Sequence, residues 1–205
     1  MSQGMQVLRS RIKSTEATMK ITSAMELMAN AKLMKIRSDM ERNREYSQVL
    51  IKTLQELLSS DKNIDSEYLK ENKSTKVLYI IFSSDLGLCG GYNGNMFKYA
   101  LNLLKEEDLI ISIGSKARSF FLARGYNVIN DYLNSDTLSY EEITHLINKA
   151  LELYLKGEVG SLKIIYTKFV NILSYEPERE DVLPVDSEKY SDDSAVQETI
   201  FEPSA

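Results

Sequence analysis

Between Gly4 and Gly87 the chain has neither glycine nor proline, so nothing in that stretch forces a helix to stop. A single cysteine, Cys89, excludes an internal disulfide framework and fits a reducing compartment. The N-terminus, MSQGMQVLRSRIKS, lacks the apolar core of a secretory signal. No run reaches the ~18 uncharged apolar residues that a membrane span needs. An excess of positive charge is also missing. The net charge of −5 argues against a general nucleic-acid binder.

What fills the glycine-free gap is one long helix, expected over residues 5–58. In its first half Met19, Ile21, Ala24, Met25, Leu27, Met28, Ala31, Leu33, Met34 and Ile36 cover the whole circumference at 3.6 residues per turn. A helix apolar all round has to be enclosed. Roughly 50 residues would reach about 75 Å, more than a compact domain covers from within, so the expected cover is another helix, other chains, or both. Residues 1–60 carry ten basic against six acidic residues, a net +4, which leaves −9 for the remainder. A basic shaft on an acidic head points to acidic protein surfaces around the shaft; the simpler reading is a solvated helix with i,i+4 pairs.

Residues 59–75 are polar and read as a connection. Residues 76–185 then alternate between strand and helix. The segments KVLYIIF (76–82), LIISI (109–113), 127–129 and 162–170 read as strands, and 93–105, 115–124 and 139–156 as helices. Ser139 with Glu142 forms a capping box, and Gly125 and Gly157 close helices. Such alternation predicts an α/β fold with a mostly parallel, Rossmann-like sheet. Residues 171–178 and 180–185 read as a closing hairpin-like pair at an antiparallel edge. Residues 186–205 read as a polar tail. The carboxylates Glu106, Glu107 and Asp108 read as a solvated turn.

Chemistry is hard to find in this pattern. The loop GLCGGYNG (87–94) follows a strand and opens a helix, where α/β folds bind phosphates. Its glycines nevertheless miss the n, n+2, n+5 spacing of a dinucleotide fingerprint, and no Gly-Lys-Ser/Thr ends it. Glycines there allow positive φ or close backbone approach, which suits a loop passing near another surface. Nothing places the one histidine, His145, near Cys89 as an activating base, and one His with one Cys makes no zinc set. Asp85, near a strand end, reads as a cap or turn residue before it reads as a cation ligand. No catalytic residue, cofactor or metal site is assigned.

The strings RIKST-x-x-x-x-KITSAMELMANAKL (11–33), SSDLGLCGGYNGNM (83–96), IGSKARSFFLARGY (113–126) and IIYTKFVN (164–171) resemble, in order, the γ subunit of F-type ATP synthases. The resemblance implies a non-catalytic central-stalk subunit. Its N-terminal helix pairs with a C-terminal helix as a coiled-coil shaft inside a ring of α and β subunits. Its α/β domain contacts the ε subunit and the membrane c-ring, and rotation couples proton flow to ATP synthesis or hydrolysis. Carried over by position, Lys20, Ile21, Thr22 and Met25 match the segment facing the β subunits, and Gly87, Leu88 and Cys89 the loop approaching them. The implied location is peripheral, on the cytoplasmic face of a bacterial-type plasma membrane, without nucleic-acid binding or membrane insertion. Met19 and Ser23 stand where relatives often carry a glutamine and a basic residue. The sequence ends at Ala205, where the family continues into its C-terminal helix. The expectation is a chain lacking that helix, prone to self-association or fraying along the first one. A coiled-coil adaptor, a diverged paralogue without rotor function, or a nucleotide-binding α/β module are the alternative readings.

Overall fold

A computed structural model describes residues 2–60, 64–171 and 174–186. The chain divides into two units, one holding the long helix and the other the sheet with its helices. The sequence-expected polar tail lies, from residue 187 on, outside the described residues.

Helix α1 runs Ser2–Ser60, 59 residues without a break, or about 90 Å at 1.5 Å per residue. Its hydroxyl residues turn inward on the helix itself: Thr15, Thr18, Thr22 and Thr53 donate to the carbonyls four residues back. Arg37–Glu41 and Lys52–Glu56 are i,i+4 ion pairs, and Arg42 pairs with Asp39. These exposed pairs contribute only tenths of a kcal/mol each. The apolar residues stay open: Met5, Leu8, Ile12, Met19, Ile21, Leu27, Met34 and Ile51 are all exposed. Exposure of large apolar side chains thus runs from Met5 to Ile51, while Leu54 and Leu57 are half-buried and Leu58 is buried.

In the second unit β1 (Val77–Phe82), β2 (Leu109–Ile113), β3 (Asn127–Val128), β4 (Ser161–Asn171) and β5 (Ser174–Leu183) form one sheet, ordered β3-β2-β1-β4-β5. The first four pair in parallel, and β5 is antiparallel to β4. Helices α2 (Tyr92–Leu101) and α3 (Ser115–Leu122) cover one face, and α4 (Tyr140–Leu155) the other. Alternation along β1 explains why its run is apolar throughout. Tyr79 and Ile81 pack with Met96, Phe97 and Phe121; Leu78 and Ile80 pack with Leu146, Ala150 and Tyr154. A strand buried on both faces cannot alternate in polarity.

Three expectations differ in detail. The helix expected over 93–105 ends at Leu101, and residues 102–108 turn back to the start of β2. Asp108 is not on a solvated turn. It is only 1% exposed, and its carboxylate accepts the backbone N–H groups of Val77 and Lys105 at 2.9 and 2.8 Å. The closing pair expected over 171–178 and 180–185 is instead one strand, β5, along the length of β4. Pro177 interrupts neither, since an edge strand has one unpaired side.

Candidate functional site

The chain leaves β1 for β2 and β3 on one side, then returns through α4 to β4 on the other. The loop after β1, residues 83–91, thus lies at the carboxyl ends of the strands, at the point where strand order reverses. Each of its first three residues is held by a different neighbour. Ser83 N–H donates to the Ile113 carbonyl at 2.8 Å, and Ser83 Oγ accepts from Ala117 N–H at the start of α3, also at 2.8 Å. Ser84 N–H donates to Asn93 Oδ1, Asn93 Nδ2 donates back to Ser84 Oγ at 2.7 Å, and Ser84 Oγ donates to the Leu86 carbonyl at 2.6 Å. Gly114, across from Ser83, has φ +92°, and a Cβ there would lie 2.2 Å from the Ser83 carbonyl oxygen. That approach is why this position is glycine.

Asp85 is the most connected side chain of the region. Its Oδ1 accepts Ser115 N–H at 2.7 Å and the Tyr132 hydroxyl at 2.9 Å. Its Oδ2 accepts both the N–H and the hydroxyl of Ser135 at 2.7 Å. Burial by itself pushes the carboxyl upward, but the bonds from Ser135, Ser115 and Tyr132 together outweigh it and bring its pKa down to about 2. The same carboxylate raises the Tyr132 phenol, chiefly through their shared hydrogen bond. Asp85 therefore acts as a cap for α3 supplied from another loop, since Gly114 has no side chain to offer. This bears out the cap reading of the sequence, but its partners lie 30 to 50 residues away. No local pattern could have named Tyr132 or Ser135.

Beyond these anchors the loop projects. Leu86 and Leu88 are exposed, Leu88 to 94%, and Leu88 holds φ +61° without being glycine. A non-glycine in the left-handed region costs of order 1 kcal/mol and persists only where its surroundings impose it. Among the three glycines of the loop, Gly90 takes positive φ, and its neighbour is the Tyr175 hydroxyl. Gly87 is exposed with open space around it. Cys89 is half-buried, its Sγ accepting from Asn93 Nδ2 at 3.2 Å. His145 stands elsewhere, on α4 at the rim of a cavity of about 450 Å³ floored by Ile111, Ile129 and Leu146. The structure thus brings Gly87, Leu88 and Cys89 together on one loop and does not join Cys89 to His145.

The other expected contact residues lie in the other unit, on α1. Ile21 and Met25 share one face at i,i+4 and are 62% and 43% exposed. Lys20 and Thr22 are exposed beside them, the Thr22 hydroxyl turned onto the Thr18 carbonyl at 2.8 Å. Among the described residues no group of three His, Cys, Asp or Glu is placed to hold a metal ion. No helix there is long and apolar enough to cross a membrane.

Comparison with known proteins gives one answer. The ATP synthase family model matches residues 4–205. The ATP synthase gamma chain of Clostridium kluyveri is 37% identical over 208 residues, covering 98% of this chain and 72% of that protein. The gamma chain of Pasteurella multocida is 33% identical over 212 residues, covering 98% and 73%. A chain of the cryo-EM structure of the Tetrahymena thermophila mitochondrial ATP synthase central stalk and c-ring superposes with a TM-score of 0.63 at 22% identity, covering 90% of this chain and 81% of that one. That likeness establishes the shared fold, a long helix with a mostly parallel α/β sheet. With relatives of this identity across nearly its whole length, the chain belongs to the ATP synthase gamma-chain family.

Proposed function

We propose that the chain works by turning: α1 rotates within a ring of α and β subunits, and the rotation couples ion flow to ATP synthesis or hydrolysis on the β subunits. The chain is a central-stalk, rotor subunit of an F-type ATP synthase. The observation that carries this is the 37% identity to a gamma chain running over 98% of the sequence. The exposed apolar residues of α1 from Met5 to Ile51 support it, because burying them within other subunits is strongly favourable at about 25 cal/mol per Å². In this reading Lys20, Ile21, Thr22 and Met25 meet the β subunits along the shaft. Gly87, Leu88 and Cys89 meet them from the loop after β1, while the α/β unit contacts the ε subunit and the c-ring. The complex is peripheral to a membrane, here assigned to the cytoplasmic face of a bacterial-type plasma membrane. We assign no bond chemistry to the chain itself. The Ser84 and Asp85 side chains are already engaged, by Asn93 and by Ser115, Tyr132 and Ser135, and the loop's glycines lack the spacing that cradles phosphate.

The test is recovery of the chain, through an affinity tag, from membranes of its own source solubilised in mild detergent. The expected eluate contains α, β and ε subunits with the c-ring and hydrolyses ATP. Recovery of the chain by itself, or paired with an unrelated helix, would favour the coiled-coil adaptor instead.

A further inference from the structure

We infer that Asp85 is a positioning residue: by gathering donors from two other loops it sets the direction in which residues 86–88 project, so that Leu88 meets its partner already in place. The inference rests on the rotor reading for what the tip touches; its geometry stands apart from that reading. One side chain receives Ser115 N–H from the β2–α3 turn, and Tyr132 hydroxyl and Ser135 N–H and hydroxyl from the β3–α4 loop. All three strand-end loops on this half of the sheet are therefore tied at a point one residue before the tip. Behind Asp85, Ser84 is locked to Asn93, and Asn93 also bonds Cys89 Sγ on the far side of the tip. The base of the loop is held on both sides, while Leu86 and Leu88 themselves face outward.

Between the tie at Asp85 and the Asn93–Cys89 bond, Leu88 presents a large apolar side chain, 94% exposed, from a sparsely populated backbone region. A group ordered in advance loses little conformational freedom on contact, the general benefit of preorganisation. Asp85→Asn is close to isosteric yet breaks the arrangement. Each carboxylate oxygen accepts two donors, and the amide would turn an N–H₂ toward one of those pairs.

Two measurements decide the matter. In the full-length chain, amide exchange of residues 86–89 is compared with that of β1. Asp85→Asn is expected to speed exchange at the tip about tenfold or more while β1 amides keep their protection. In the assembled complex, ion pumping per ATP hydrolysed is measured for Asp85→Asn, Leu88→Ala and the double variant, normalised to the incorporated chain. If Asp85 acts through the tip, both single variants lower the ratio at least twofold and the double variant is no worse than the worse single one. Additive losses, or an unchanged ratio and tip exchange in Asp85→Asn, overturn the proposal. Should Asp85→Asn fail to assemble, Tyr132→Phe with Ser135→Ala removes two of the four donors and is expected to give the same losses in smaller degree. A complex that forms and pumps without the chain would remove the rotor reading itself, whereas the exchange result would still stand or fall by its own outcome.

Discussion

Replacing Gly114 with alanine strains the place where β1 and β2 end together. Gly114 sits at φ +92°, ψ 140°, a region nearly confined to glycine, at a cost for alanine of about 1–3 kcal/mol. The added Cβ would also lie 2.2 Å from the Ser83 carbonyl oxygen and 2.6 Å from Ser83 Oγ. Ser83 cannot retreat freely. Its N–H is bonded to the Ile113 carbonyl at 2.8 Å, and its Oγ accepts Ala117 N–H at 2.8 Å. Losing either bond in this buried site costs a further 1–3 kcal/mol or so. The total is about 2–6 kcal/mol, a large part of an ordinary domain's stability. Gly125→Ala is the matched control: φ is +79°, but nothing lies within 4 Å of the new Cβ, so only about 1–2 kcal/mol is expected. Guanidinium unfolding followed by near-UV circular dichroism reads the second unit, because every tyrosine except Tyr46 lies outside α1. A loss for Gly114→Ala no greater than that for Gly125→Ala, at equal denaturant slope, would refute the steric reasoning.

Asp108→Ala leaves the N–H groups of Val77 and Lys105 without their buried acceptor and is expected to cost about 2–5 kcal/mol, Asp108→Asn roughly half as much; thermal unfolding orders the two. Because the pKa of Asp85 is depressed to about 2 from an ordinary 3.8, its contribution is complete above pH ~4 and fades as pH falls toward 2. Allowing for partial exposure this is worth about 1 kcal/mol, and the stability gap between wild type and Asp85→Asn should narrow across that window; a constant gap from pH 5 to 2 would contradict it. Ser139→Ala removes the capping box in which the Ser139 hydroxyl accepts Glu142 N–H and the Glu142 carboxylate accepts Ser139 N–H. It is expected to lower stability by about 1 kcal/mol in the same unfolding assay.

The elements that sequence made legible are those whose cause is local. The uninterrupted α1, the doubly buried β1 and β2, and the Ser139 cap each follow from neighbours within a few residues. The failures share the opposite cause. Asp108 reads as one more surface carboxylate after Glu106 and Glu107 until the pairing of β2 beside β1 gives it Val77 N–H to accept. Residues 174–183 hold charges and a proline, and only pairing along β4 makes them one strand. In the candidate site the glycine loop was visible, and so was its unsuitability for phosphate. The tie at Asp85 was not, because Ser115, Tyr132 and Ser135 come from loops whose meeting is set by the sheet order. Nor does sequence show that the positive φ falls on Leu88 as well as on Gly90.

The central claim is that this chain turns relative to the α and β subunits. It is tested most directly by immobilising the detergent-solubilised complex through its β subunits, attaching an optical probe to the α/β unit of this chain, and supplying ATP. Continuous rotation in one direction, stopping when ATP is withdrawn, is the expected result. ATP hydrolysis at a normal rate with the probe stationary would contradict the account.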